Sequence, residues 1–478
     1  MKIFLTLIAF LATIAGANAN RQRLVLKYDH SVDLEDVAEA VKSSGAKVER
    51  QLGCTRGLLI SVDEQGRQAL DEVEGMVTVP IDEAHRVRGR RRLNGINTPQ
   101  GNGNCDHKET CENLLPSSVL TQNDVDLIKT EIRQELLKGA GSFDGSLGDN
   151  AGAIMRLVFH DAASFVKNDA ASLSGLNGCV NKDNTGNAGL HNVQAWLENL
   201  QEFLFDSHNI DISISDLSVL AAITTLEVTT DKAKEVAFGY PGELDIEFKY
   251  GRPDISCDCE NDFEPESLTT DGSNFNFENI DHQMRDGMGF TRKEIVALMG
   301  THTLGAMTTE TSGFPAFLKE DRGVTKAFWL GFFTQFGIAE SDGFDNGYYR
   351  FMLNYPWNRR ETVVDGVTMI EWVADSLPLV YLNSDAALAS QIDFTDEDGN
   401  LCNRFGGFNG CIDEDNPALP LIPGCILCPE LNNAYGQFVR EYDRDQARWL
   451  SDYSKAFQKM IDDMVPCRGV QLMAPSQE

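Results

Sequence analysis

Two short runs in this chain carry side chains suited to acid–base and metal chemistry. In RLVFHD, residues 156–161, Arg156 and His160 lie four positions apart inside an apolar stretch. On a helix that spacing places a guanidinium and an imidazole on one face, one turn apart, with Ile154, Leu157 and Val158 on the side that packs inward. Burying either group without a partner is expensive. One reading is a core histidine satisfied by a carbonyl, beside an arginine that keeps its head in water. The other is a site that needs a titratable base next to a fixed cation. A second histidine, His302, lies in VALMGTHTLG, with a capping-box start, Thr291-x-x-Glu294, upstream and a helix-stopping glycine, Gly305, just beyond. Again an apolar helix delivers one imidazole from its inner face. A zinc hydrolase built on these histidines would need HExxH or a comparable ligand cluster, which the chain lacks.

The elements that must position these residues are mostly helical. Segments 120–137, 191–204, 215–230 and 290–305, and the run around Arg156, repeat apolar residues every three to four positions. Convincing strands are few and internal repeats absent. At 478 residues, with 42% hydrophobic and 24% charged, the chain can bury a sizeable core and form two or three domains. The formal net charge of −32 argues against nucleic acid or an anionic membrane surface as a partner.

The N-terminal part has its own organisation. Residues 1–19 carry a lysine, an apolar stretch and Ala17-Asn18-Ala19, the pattern of a secretory signal peptide. No later segment is long and apolar enough to span a bilayer. Residues 21–85 alternate as β-α-β-β-α-β, the order of a ferredoxin-like sandwich, and this pattern with its GAKVER turn resembles the pro-segment and inhibitor domain of subtilisin-type proteases. HRVRGRRRLNG follows. In a secreted chain that basic run offers a processing protease an exposed site, so residues 20–92 are expected to be a propeptide and 93–478 the main, mainly α domain. With Cys54 set aside in the propeptide, ten cysteines remain, an even number that allows up to five disulfides of undetermined connectivity. Cys425-x-x-Cys428 lacks the second CxxC or the histidines of a zinc site.

RLVFHDA resembles the distal helix, and ALMGTHTLG the proximal helix, of the plant-type haem peroxidase superfamily, which includes cytochrome c peroxidase, ascorbate peroxidase and the secreted fungal and plant enzymes. NAGLHN (187–192), SDLSVLAA (215–222), GRPD (251–254), MRDGMGFTRKEIVALMG, FDNGYYRFML (344–353), LNSDAAL (382–388) and FVREYDRDQARWLSDYSKAFQKM (438–460) continue the resemblance in order.

The resemblance implies haem b between two helices and reduction of hydrogen peroxide to water by a small, phenolic or aromatic electron donor. By it, His302 is the axial ligand of the iron. His160 is the general base and Arg156 the cation facing the charge that develops as the O–O bond breaks. Asn187 accepts the other ring N–H of His160, and Asp385 that of His302. Phe159 occupies the distal aromatic position, where the secreted enzymes also carry Phe and cytochrome c peroxidase carries Trp.

The chain departs from the family in several places. Many secreted peroxidases hold two calcium ions; here Asp161 matches on the distal side, but Val180 replaces an acid, leaving Asn177, Gly178 and Asn181 as other oxygen sources. On the proximal side Thr303 and Asp345 match and Gly337 replaces an acid. One calcium or potassium ion is therefore the expectation. The proximal aromatic is Phe336 counting back from FDN, or Phe317 counting forward from HTLG; Trp329 lies in an insertion. Of three manganese-binding acids only Asp149 aligns, against Ala153 and Thr308, and Thr311 stands where ascorbate peroxidase has its substrate arginine. A Cys-rich insertion spans about 393–430; its DFTDEDGN lacks the last glutamate of an EF-hand. The expectation is a secreted, monomeric haem peroxidase, with a catalytically silent extracellular relative as the alternative.

Overall fold

The computed structural model describes residues 22–28, 34–52, 57–71, 73, 76–80, 118–137, 147–165, 167, 173–181, 185–236, 240–255, 277–307, 327–328, 333–334, 337–338, 343–364, 367–374, 379–407, 411, 424–431, 435–466 and 470–477. The chain forms two compact units, Met1–Asn113 with Ile255–Cys259, and Leu114–Asp254 with Glu260–Glu478. The expected signal peptide and the basic run lie outside the described residues.

In the first unit β1 (Gln22–Tyr28), α1 (Leu34–Ser43), β2 (Lys47–Leu52), β3 (Gly57–Val62), α2 (Glu64–Asp71) and β4 (Met76–Pro80) follow in the expected order. They make one antiparallel sheet ordered β2-β3-β1-β4, the ferredoxin-like arrangement. Leu26, Val37, Val41, Val62 and Leu70 close its core. Gly45 takes φ +68° after α1, a conformation that favours glycine just past a helix end.

The second unit is built on α3 (Gln122–Leu137), α4 (Leu147–Ala163), α5 (Leu190–His208), α6 (Ile214–Val236), α7 (Phe277–Ile280), α8 (Arg292–Met299), α9 (Gly347–Asn354), α10 (Asn383–Ala389), α11 (Gly436–Arg444) and α12 (Gln446–Asp463). The periodic positions do turn inward: Val125, Ile128, Ile132 and Leu136 are buried on α3, and Val193, Leu197, Leu200 and Leu204 on α5. α4 packs on α5 and α6, and α8 on α12.

GRPD locks this arrangement. Arg252 and Asp216 are both fully buried and 2.8 Å apart, and Arg252 also donates to the Ile461 carbonyl through Nε and Nη2. Asp254 accepts the Ile214 and Ser215 amides at the start of α6, satisfying donors that a helix N-terminus leaves unpaired.

Few strands are expected from the helical periodicity. After the two-residue strands β5 (Ala306–Met307), β6 (Ala327–Phe328), β7 (Phe333–Thr334) and β8 (Gly337–Ile338), however, β9 (Trp357–Val364) and β10 (Val367–Ala374) are eight residues each, and with β11 (Val380–Leu382) and β12 (Arg404–Phe405) they form an antiparallel sheet ordered β11-β10-β9-β12. The intervening Asp365-Gly366 is the dipeptide that favours tight hairpins. Trp357, Trp372 and Phe405 bury their rings here. In the Cys-rich insertion Cys402 pairs with Cys428 and Cys411 with Cys425. The two cysteines of the CxxC thus belong to different disulfides, and neither is a thiol for zinc or redox exchange.

Candidate active site

α4 carries Arg156 and His160 to a short 3₁₀ turn, Thr185–Asn187, and its continuation. His160 Nδ1 lies 2.7 Å from Asn187 Oδ1. Asn187 Nδ2 donates to the Asn181 carbonyl at 2.8 Å, which turns the amide oxygen toward the ring. His160 therefore carries its proton on Nδ1 and its lone pair on Nε2. Arg156 donates through Nη1 to the Ala188 carbonyl at 2.8 Å and through Nη2 to the Gly186 carbonyl at 2.5 Å. Burial, reinforced by the Arg156 charge and only partly offset by the Asn187 hydrogen bond, pushes His160 down to about 3. Burial lowers Arg156 to about 10. At neutral pH the pair is a neutral base beside a cation. Phe159 is half-buried, its ring edge-on to His160 with centroids 6.2 Å apart.

The second imidazole is positioned from α8. Thr291 and Glu294 form the expected capping box, with the Thr291 amide donating to Glu294 Oε2 at 2.7 Å. The α-helix ends at Met299 and Gly300–Thr303 continues as 3₁₀, so His302 sits in the tighter turn rather than in the helix proper. Gly300, just past α8, is packed against α9 and α12: a Cβ there would lie 2.5 Å from Tyr349 Oη and 2.7 Å from Trp449 Nε1. His302 Nδ1 lies 2.7 Å from Asp385 Oδ1. Asp385, at the start of α10, is fully buried. It also accepts the Tyr348 hydroxyl on Oδ1 at 2.7 Å and the Leu382 amide on Oδ2 at 2.8 Å. Burial and the neighbouring Asp385 push the Tyr348 phenol well above its usual range, so it remains a donor.

The two imidazoles belong to one locality. Gly152, one turn before Arg156 on α4, abuts the turn after His302: a Cβ added there would lie 2.9 Å from Gly305 Cα and 3.6 Å from the Leu304 carbonyl. Backbone meets backbone at that point, fixing the separation of the elements that carry the histidines.

The expected cation ligands fare differently on the two sides. Asp161 is buried and its carboxylate accepts the Asn177 and Gly178 amides at 3.3 and 3.0 Å. Burial pushes its carboxyl well above the usual range against the pull of those donors. Asn177 Oδ1 takes the Cys179 amide, and the Asn181 carbonyl takes Asn187 Nδ2. Each of these oxygens accepts an N–H donor of the distal segment itself. On the proximal side Thr303 Oγ1 donates to Asp345 Oδ1 at 3.3 Å, and that oxygen also accepts the Gly347 amide at 2.8 Å. No group of three or more His, Cys, Asp or Glu among the described residues could hold a metal ion. Phe336, Phe317, Trp329, Thr308 and Thr311 lie outside the described residues, as does the Asp149 side chain.

Reasoning from residue types missed Tyr348, the carbonyls of Gly186 and Ala188, and the Gly152–Gly305 approach. FDNGYYRFML contains Tyr348, but nothing in its pattern says which carboxylate the phenol will meet. Backbone carbonyls have no sequence signature at all.

A family model described as Peroxidase matches residues 129–396, more than half of the chain. A candidate heme-binding peroxidase of Cryptococcus neoformans is 27% identical over 279 residues, 57% of this chain and 70% of that protein. One of Pyricularia oryzae is 28% identical over 348 residues, covering 71% and 86%. A protein of Yarrowia lipolytica named as a candidate mitochondrial cytochrome c peroxidase is 24% identical over 331 residues, covering 67% and 82%.

Proposed function

The chain belongs to the haem peroxidase family, and from that premise we propose that it is a secreted, monomeric enzyme that reduces hydrogen peroxide to water while oxidising small phenolic or aromatic donors. One observation carries the assignment of roles. Each of two imidazoles in one locality has its Nδ1 held at 2.7 Å by a side-chain oxygen, Asn187 for His160 and Asp385 for His302, which presents Nε2 as the lone-pair nitrogen in both.

The donor set fits haem b: His302 would hold its iron through Nε2, and Phe159, edge-on to His160, would lie beside the bound group. When bound, haem b supplies the electron transfer between peroxide and donor. His160 Nε2 takes the proton from one peroxide oxygen and returns it to the other as that leaves as water. Its neutrality at ordinary pH, set by burial and Arg156, keeps it ready as a base. Arg156, held by two carbonyls, places its positive charge on the same helical face as the base, where negative charge develops. For a structural calcium or potassium ion, Thr303 and Asp345 are the residues brought together; they supply two donors where such an ion takes six or more.

Secretion is supported by the signal-like residues 1–19 and by the disulfides of the insertion. No helix among the described residues is long and apolar enough to cross a membrane. We assign residues 20–92 as a propeptide on the basic run that follows β4 in the sequence. The test is a visible spectrum of the purified protein loaded with haem b, followed by a donor panel. A ferric Soret band that shifts on adding peroxide, with turnover of phenols, is expected. A protein that binds no haem, or whose band is indifferent to peroxide, refutes the reading, and N-terminal sequencing that begins near Asn20 refutes the propeptide.

A further inference from the structure

Asp385 Oδ1 receives two hydrogen bonds of equal length, 2.7 Å from His302 Nδ1 and 2.7 Å from the Tyr348 hydroxyl, while Oδ2 takes the Leu382 amide at 2.8 Å. An oxygen shared between two donors is a weaker base toward each of them than one that serves a single donor. We propose that Tyr348 is a positioning residue: by drawing on the same Asp385 oxygen, it keeps the Nδ1 proton on His302 and limits how anionic that imidazole becomes. The inference rests on the reading of His302 as the axial ligand of haem.

The geometry around the phenol supports a directed role. Tyr348 is fully buried. Its ring stands edge-on to His302, with centroids 6.1 Å apart and planes at 77°, and it is flanked by Tyr349 and Tyr381 at 5.0 and 5.5 Å. The Tyr381 hydroxyl donates to the Tyr348 carbonyl at 2.5 Å. Tyr349, the next residue, donates to the Val296 carbonyl of α8 at 2.6 Å. α9 thus holds α8 through one tyrosine and aims the other at Asp385, so the Tyr348 hydroxyl cannot turn away without moving the helix. Packing alone would be met by phenylalanine; the hydroxyl is needed only for Asp385.

A basic, more imidazolate-like axial ligand favours ferric over ferrous iron. In the haem-loaded full chain, Tyr348→Phe should therefore retain haem, lower the midpoint potential and raise the ferrous iron–imidazole stretching frequency in resonance Raman spectra. A shift of about tenfold in the ferric-to-ferrous preference, the worth of one charge-assisted hydrogen bond, corresponds to about 59 mV for one electron. Tyr442→Phe removes a hydroxyl that serves Asp452 rather than Asp385 and should move neither reading. Difluorotyrosine placed at position 348, a stronger donor of the same shape, should shift both the opposite way, and it decides the matter if the phenylalanine variant fails to fold. A haem-loaded Tyr348→Phe protein with unchanged potential and stretch overturns the proposal. A wild-type chain that binds no haem removes the assignment of His302 itself, before any variant is compared.

Discussion

Asn187 meets His160 through its side chain, and the two carbonyls that flank Asn187 in the chain, those of Gly186 and Ala188, hold Arg156. One three-residue segment thus orients both the base and the cation. Asn187→Val should leave the base without its acceptor and slow the reaction with peroxide by about 10- to 100-fold. Stopped-flow recording of the Soret shift reads this directly, and a rate within twofold of wild type would contradict the role of Asn187.

His160→Leu should keep haem bound, since His302 and Asp385 are untouched, yet slow the same step by at least ~10³-fold, the combined loss of proton transfer and orientation. Undiminished oxidation of the iron in that variant would remove His160 from the mechanism.

The rate with peroxide should stay level from neutral into acid pH and fall only as the medium approaches about 3, where His160 gains its proton. Stability follows the same group. Its folded value lies below the ordinary 6.5, so between 6.5 and about 3 the unfolded chain binds more protons than the native one. The contribution is complete above 6.5 and is lost as pH falls through that window. Denaturant titrations across this range should show a shallower acid loss in His160→Leu than in wild type.

Asp385→Ala would strand three donors, from His302, Tyr348 and Leu382, in a fully buried place. A loss of about 3–5 kcal/mol is expected, measured by chemical denaturation, together with weaker haem retention. Stability equal to wild type would mean that those donors find other partners.

Gly152→Ala sets two effects against each other. Alanine favours a helix by about 1 kcal/mol, but the new methyl group would lie 2.9 Å from Gly305 Cα, and backbone yields less easily than a side chain. Net destabilisation of about 1–2 kcal/mol is expected, with reduced haem affinity as α4 is pushed from the turn after His302. A stabilised variant would show that the two elements can separate freely.

Much of the fold was legible because its signals are local. The apolar spacing of α3, α5 and α6, the Thr291–Glu294 box and the β-α-β-β-α-β order of the first unit each depend on residues within one or two turns or strands of one another. The β9–β10 hairpin was legible in principle from Asp365-Gly366.

The sequence by itself determined that Arg156 and His160 share one helical face and that His302 closely follows a capped helix, since a four-residue interval and a capping box are properties of any α-helix. Only the tertiary structure decided what those groups meet. His302 and Asp385 are 83 residues apart, and Tyr348 enters from a third element. The disulfides join Cys402 to Cys428 and Cys411 to Cys425, one of many pairings that composition allows. Asp161, a calcium ligand by the family resemblance, accepts the Asn177 and Gly178 amides. Hydrogen-bond donors and acceptors are common along any chain; which of them pair is set by the path of the backbone, and that path is a property of the whole packed core.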